Sequence, residues 1–241
     1  MLFMSIYTEL QWFSGDKMKV SIIVPVLNEA DNIYNLVDML QRLEGDKEVI
    51  IVDGGSTDGT LQLIPDSFIT VNSEKGRGRQ LNKGAAAATG DIFLFLHCDS
   101  LLEADVLEKV QRVIESGCVG GCFTMKFDRK NWLLSIIAYL SNLRVKIFGI
   151  IFGDQGMFVK KDVFQSLGGF ADIPIMEDLE FSGRLRKAGK VKQLKERIVT
   201  SARRFEKGGI IRTMLFMHKM KIMYWMGKSP EELYLLYKNV R

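Results

Sequence analysis

The chain has 241 residues, 47% hydrophobic, 26% charged and 10% aromatic, with a net charge of +4. This balance fits one large domain, or one domain with a small appendage, and excludes disorder as the main state because apolar surface is ample. Three cysteines, Cys98, Cys118 and Cys122, cannot complete a disulfide framework, so a reducing, cytoplasmic setting is the simpler expectation.

Residues 1–18 show neither a basic leader nor a long apolar core, and read as a disordered extension, with Met18 an alternative start. Val20 to Val26 is an apolar run and predicts a strand buried on both faces. Asp31 to Leu43 places Ile33, Leu36, Val37, Leu40 and Leu43 on one helical stripe. Glu48 to Val52 predicts a second strand, ending in Asp53-Gly54-Gly55-Ser56-Thr57-Asp58-Gly59, and a helix is expected to start near Ser56 or Asp58. Phe68 to Val71 predicts a third strand, Gly78 to Thr89 a helix, and Ile92 to Leu96 a fourth strand ending in His97-Cys98-Asp99-Ser100. Strands alternating with helices at this spacing imply an α/β fold around a largely parallel sheet.

The second half is less regular. Gly120 to Phe127 predicts a strand, Trp132 to Phe148 an apolar helix, Gly153 to Gly156 a loop and Met157 to Val159 a short strand. Glu177 to Lys187 predicts a helix with carboxylates at its start, followed by two short strands near Val191–Leu194 and Ile198–Ser201. Residues 208–227 read as one basic, Met-rich helix, and the tail after Pro230 as a last short one. No stretch is long and uncharged enough to span a membrane, since Arg144 and Lys146 interrupt the most apolar segment. From Ser182 onward sixteen Lys and Arg face four Asp and Glu, +12, whereas the preceding residues carry 17 against 25, −8. A basic tail suits a phosphate-bearing partner or an anionic lipid surface, and equally a solvated helix face.

Five groups carry candidate chemistry. Pro25, Asn28 and Glu29 follow the first strand, where Asn28 either caps a helix or bonds a base or ribose. Asp53 ends the second strand and can accept from a ring N–H of a base, or simply hold a turn. Asp99 ends the fourth strand, where one carboxylate plus a diphosphate and water can hold Mg2+ or Mn2+. His97, two residues earlier on an extended chain, is expected to point the same way. Arg77, Arg79 and Lys83 sit on a glycine-rich turn opening a helix, a place that can cradle phosphates. Glu177 and Asp178 form a carboxylate pair, one of which can serve as general base.

The ordered set SIIVPVLNEADNI, VIIVDGGSTDGT, FLFLHCDS, GDQGMFVKKDVF, LGGF and MEDLEFSGRLRKAG resembles the family 2 glycosyltransferases, which have the GT-A fold, over residues 19 to about 205. GRGRQLNKGAAAATGD is similar to a small bacterial subgroup associated with radical-SAM and selenium-linked clusters or arsenosugar synthesis. The resemblance implies a GT-A domain at 19–205, a basic helical segment at 206–241, and inverting transfer from a nucleotide sugar, UDP-linked or GDP-linked. It implies nucleotide contacts at Pro25, Asn28, Glu29 and Asp53, a metal ligand at Asp99 and a catalytic Asp178 beside Glu177. One departure stands out: His97 occupies the place of the first Asp of the usual D-x-D.

Asp154, Gln155, Arg203 and Arg204 are expected, with His97, as supporting or acceptor-side residues. The acceptor is either a small molecule or a lipid-linked one, with peripheral contact at the cytoplasmic face of a membrane in the second case. The Met-rich faces suit a homodimer or plain core packing equally. Two rival readings remain: a sugar nucleotidyltransferase, which usually carries a glycine-rich basic loop where Asn28-Glu29 stands, and a non-catalytic nucleotide-sugar binder. No nucleic-acid module is recognisable, so a nucleic-acid partner is not expected.

Overall fold

The computed structural model describes residues 18–238. Of the expected extension, only Met18 falls within that span; it packs against the core, and its carbonyl accepts from Gln111 at 2.5 Å. The first half alternates β1 (Val20–Val26), α1 (Ala30–Arg42), β2 (Lys47–Asp53), β3 (Ile69–Asn72), α2 (Arg77–Ala87) and β4 (Ile92–Phe95). β3, β2, β1 and β4 lie side by side and all run parallel. β1 is buried on both faces: Ile22 and Val24 pack toward α1, while Ile23 packs with Leu81 and Ala85 of α2. α2 lies so close to the sheet that a Cβ on Gly84 would sit 2.5 Å from Ile23 and 2.7 Å from Val52, which is why a glycine opens its run of alanines.

The second half adds β5 (Leu101–Leu102), α3 (Val106–Glu115), β6 (Gly120–Phe127), α4 (Trp132–Phe148), β7 (Met157–Lys160), α5 (Lys161–Ser166), α6 (Glu177–Ala188) and β8 (Val191–Thr200). The eight strands form one mixed sheet in the order β3-β2-β1-β4-β7-β6-β8-β5, with antiparallel pairing of β7 to β4 and β6, and of β5 to β8. Helices flank both faces, so the expected α/β class holds. α7 (Arg203–Gly208), α8 (Ile210–Trp225) and α9 (Pro230–Lys238) complete the described chain.

Four expectations need correction. No helix follows Asp53. The side chains of Asp53 and Asp58 capture the donors of Gly55, Ser56, Thr60 and Ala30, and the loop holds only one tight turn at Leu61–Leu63. The two short strands after Gly189 are one strand, β8, irregular where Lys195 and Glu196 lie opposite the Cys122–Thr124 stretch of β6. The basic helix expected over residues 208–227 is α8, shortened to Ile210–Trp225, and Gly209, with a φ of 78°, sets it off from α7. α3 and α5 were not anticipated, although Val106, Leu107, Val110, Val113 and Ile114 of α3 form a buried stripe.

α8 and α9 close over the head of α6. Met220 and Leu233 are buried against Met176 and Leu179, with Phe152, Ile175 and Tyr237 around them. Among the described residues no helix is long and apolar enough to cross a membrane.

Candidate functional site

Most of the candidate residues gather at the carboxyl ends of the parallel strands, where ligands bind in open α/β sheets. Pro25, one residue before the end of β1, pairs in register with Val52. Asn28 takes a left-handed φ of 54°, which Asn tolerates because its short side chain bonds locally. Its Oδ1 accepts from Thr57 N at 2.9 Å, and its own N–H donates to Ser56 Oγ at 2.9 Å. Asp53 is buried, and accepts from Gly55 N at 2.9 Å and from Ser56 Oγ at 2.5 Å. Gln80 of α2 supports this corner from below, donating to Val26 O at 2.9 Å and Val52 O at 2.8 Å. Its role was not legible, since nothing in the sequence marks which carbonyls a helix Gln will meet.

The second cluster joins three elements. Arg77, at the head of α2, donates through Nε to Glu177, lies 3.5 Å from Asp178 Oδ2, and approaches His97 Nε2 at 3.4 Å. Glu177 is buried, and Met176 before it holds a left-handed φ of 71°, an uncommon state that turns the carboxylate pair inward. Asp178 Oδ2 accepts from Gly153 N at 2.8 Å, and Oδ1 from Leu179 N at 2.7 Å. Burial works to raise the Asp178 pKa, but the Arg77 charge and these N–H donors outweigh it, so the carboxyl is held below its ordinary range. His97 is pushed down to about 4 by burial and by Arg77, against the pull of Asp178, and is therefore neutral at pH 7. Burial also acts on Arg77, yet Glu177 and Asp178 keep its guanidinium charged.

His97 and Asp99 do not point the same way. The chain leaves the extended state after Phe95 and turns, with Ser100 N donating to His97 O at 3.1 Å. Asp99 faces the charges of Glu29, Asp128 and Arg203 instead. Burial first, then the two carboxylates, push its pKa up against Arg203. Arg203 Nη2 stands 4.0 Å from Glu29 Oε2, and Glu29 also accepts from Asn32 at 2.5 Å. Among the described residues no three of His, Cys, Asp and Glu converge as a ready-made metal cage. The chemistry of the donor set fits only a metal held by Asp99 and completed by a phosphate ligand and water.

The structure does not bring the remaining cations to this cluster. Arg79 is drawn to Asp172 at 2.6 Å and Glu74 at 2.8 Å, away from Arg77, and Lys83 is exposed on α2. Arg204 lies 4.5 Å over the Tyr237 ring. Gln155 is buried and accepts from Arg144 at 2.6 Å, while Asp154 keeps a buried Oδ1 with no hydrogen-bond partner. Arg144 and Lys221 were passed over as residues of a site. Their signal was present, because each is a charge interrupting an otherwise apolar helix.

The model of glycosyl transferase family 2 matches residues 21–167. The chain belongs to glycosyl transferase family 2. A PGL/p-HBAD biosynthesis glycosyltransferase of Mycobacterium bovis BCG is 32% identical, over 62% of this chain and 62% of that protein. The fold matches Staphylococcus aureus TarS with a TM-score of 0.64 at 19% identity, over 76% of this chain and 37% of that one. It also matches the mannosyltransferase PcManGT of Pyrobaculum calidifontis, solved with GDP-Man and Mn2+, with a TM-score of 0.62 at 21% identity, over 76% of this chain and 57% of that one. The chain thus spans less than two thirds of each of these proteins. The family match and these likenesses reach the family and the fold, and do not reach the narrower radical-SAM- or arsenosugar-associated subgroup.

Proposed function

We propose that the protein is an inverting glycosyltransferase that moves a sugar from a nucleoside diphosphate donor, UDP-linked by preference and GDP-linked otherwise, to an acceptor hydroxyl. The observation that carries this reading is Asp178: an ionised carboxylate at the head of α6, facing the strand ends and oriented by two N–H donors and Arg77. Asp53 and Asn28 lie at the ends of β1 and β2, where they read the base and ribose, with Pro25 and Glu29 beside them. The acceptor hydroxyl loses its proton to Asp178 as its oxygen attacks the anomeric carbon in line, and the nucleoside diphosphate departs from the opposite face. One displacement inverts the configuration.

Arg77 has two tasks in this reading. Before the donor binds, it neutralises Glu177 and Asp178. Drawn toward the donor's phosphates, it leaves Asp178 with a higher proton affinity at the moment a base is required. Asp99 would hold Mg2+ or Mn2+, which supplies charge stabilisation to the leaving diphosphate when bound. His97, neutral and 3.4 Å from Arg77, supports the guanidinium that faces the base. The stretch at residues 76–91 supports the narrower subgroup reading. Work at the cytoplasmic face of a membrane is supported by exposed Trp132, Tyr139, Trp225 and Met226 beside the cations of α8. High-salt release from membranes tests it.

The primary test pairs two substitutions. Asp178→Asn removes the base and abolishes release of nucleoside diphosphate from the donor, while nucleotide binding stays within about twofold. Asp99→Ala removes the metal-dependent part of the thermal shift given by UDP or GDP with Mn2+. Normal turnover in Asp178→Asn overturns the assignment of the base. Release of pyrophosphate from a nucleoside triphosphate and a sugar phosphate overturns the transferase reading itself.

A further inference from the structure

A second cavity lies behind the Phe152–Gln155 turn, separated by that turn from the cleft that Asp178 and His97 line. It offers about 290 Å3 between β6, α4 and α8, open to solvent on one side, and Phe127, Ile137, Leu140, Met217, Ile222 and Trp225 supply apolar wall. Its charged groups include Arg144, Asp154 and Lys221, which interact with one another around Phe152. The Arg144 guanidinium stands 3.6 Å from the Phe152 ring centroid and Lys221 Nζ stands 4.6 Å from it. Among the described residues Lys221 has no carboxylate within ion-pair distance. Asp154 Oδ1 is buried without a hydrogen-bond partner. Two cations therefore face one carboxylate at the head of an apolar groove.

Lys221 is half-buried against the Phe152 ring, and a partly desolvated cation without an ion pair favours an opposite charge. The protein does not supply it: burial and Arg144 hold Lys221 down to about 8, although Asp154 and Asp178 pull the other way. An arriving anion would restore the full charge of the ammonium and take its hydrogen bonds. Burial pushes the Asp154 pKa up against the pull of Arg144 and Lys221, so this carboxylate compensates the two cations less fully than an exposed one would. The groove is open along one side, where Leu140, Ile222 and Trp225 stay exposed, so a short alkyl chain can lie along α4 and α8.

We infer that this groove binds a single-chain amphiphile, with a short apolar body seated between α4 and α8 and an anionic head group held by Lys221 and Arg144. Its place one turn from Asp178 makes the amphiphile the acceptor, through a hydroxyl on its head group that loses its proton to Asp178 as the nucleoside diphosphate leaves. That last step rests on the transferase reading, whereas the binding itself does not.

Isothermal titration of the full chain with decyl phosphate, below its micelle concentration, tests the inference against decanol and inorganic phosphate. Decyl phosphate binds once per chain and at least tenfold more tightly than decanol, and inorganic phosphate gives no heat. Lys221→Gln weakens decyl phosphate about tenfold and leaves decanol unchanged. Met217→Trp fills the groove and removes binding of both, while the thermal shift by nucleoside diphosphate, which also reports folding, persists. Equal affinity for decyl phosphate and decanol, unchanged affinity in Lys221→Gln, or no binding of any amphiphile overturns the inference. Tight decyl phosphate binding in a protein that releases no nucleoside diphosphate from any sugar nucleotide leaves the groove standing and overturns the transferase reading instead.

Discussion

Gly153 offers the sharpest perturbation of the proposed reaction centre. Its φ is outside the left-handed region, so alanine fits the backbone, but the added Cβ would sit 2.7 Å from His97 Nε2 and 3.3 Å from Asp178 Oδ2. A comfortable non-bonded separation is about 3.5 Å, so His97 must retreat by about 0.8 Å. It cannot retreat freely, since Arg77 stands 3.4 Å away, and Arg77 in turn holds both carboxylates of α6. A displacement approaching 1 Å at a reacting group costs on the order of 100-fold, so Gly153→Ala is expected to lower turnover roughly 10- to 100-fold. Overpacking adds about 1–3 kcal/mol of destabilisation, which corresponds to a fall of roughly 3–10 °C in Tm. Asp53, Asn28 and Gln80 do not touch Gly153, so the affinity for nucleoside diphosphate stays within about twofold. The assay follows release of nucleoside diphosphate from the donor, with Tm and nucleotide binding measured on the same preparation. Turnover within twofold of the parent in a folded variant would refute the placing of the reaction between His97 and Asp178.

Gln80→Leu leaves the carbonyls of Val26 and Val52 without their side-chain donor, and about 2–3 kcal/mol of stability is expected to be lost, read by urea unfolding. A loss below about 0.5 kcal/mol would mean that the strand ends do not depend on it. Glu48 sets an acid limit on stability. Burial opposes its ionisation, but Lys19 at 2.9 Å, Ser21 at 2.5 Å and Thr89 outweigh it and bring the pKa from 4.5 down to about 2. The unfolded chain therefore binds the proton more readily, so this contribution, on the order of 2–3 kcal/mol, is complete above pH 4.5 and is lost as pH falls toward 2. Unfolding free energies measured from pH 6 to pH 2.5 should show that step in the parent and lack most of it in Glu48→Gln. His97 behaves likewise in sign but in another window. Its contribution is present above about pH 6.5 and declines toward pH 4, so between pH 7 and 8 it adds no titration step to the rate profile.

The first half of the fold was legible because its signals are local and redundant. VSIIVPV is apolar at every position, as a strand covered on both faces must be, and the stripe from Ile33 to Leu40 has helical spacing. The misreadings share one cause, which is competition decided by contacts far apart in sequence. The loop after Asp53 carries every sign of a helix cap, yet its Asp and Ser side chains bond across to Asn28 and Ala30, about thirty residues upstream. Lys195 and Glu196 look like a break between two strands, and only the pairing of β8 with β6 makes them an irregularity within one. α3 was legible in principle, since its buried stripe has the same spacing as that of α1.

For the candidate site, the sequence identified positions better than directions. Asp53, Asp99, Glu177 and Asp178 were picked out because carboxylates gathered at strand ends and at one helix start fit nucleotide, metal and base roles as well as turns and caps. Which group each would face depended on turns that no periodicity encodes. His97 and Asp99 illustrate this: spacing on an extended chain would align them, and one turn sends the first to Arg77 and the second to Glu29 and Arg203. Arg77 and Arg79 illustrate it again. They are two apart in one glycine-rich stretch, yet a helix separates positions i and i+2 by more than half a turn. Arg77 consequently enters the cluster with Glu177, while Arg79 is spent on Asp172 and Glu74 at the surface. The replacement of a carboxylate by His97 becomes intelligible in this geometry. A second acid beside Asp178 and Glu177 would face a single nearby guanidinium and raise the Asp178 pKa, whereas a neutral imidazole fills the same space and leaves the carboxylate ionised.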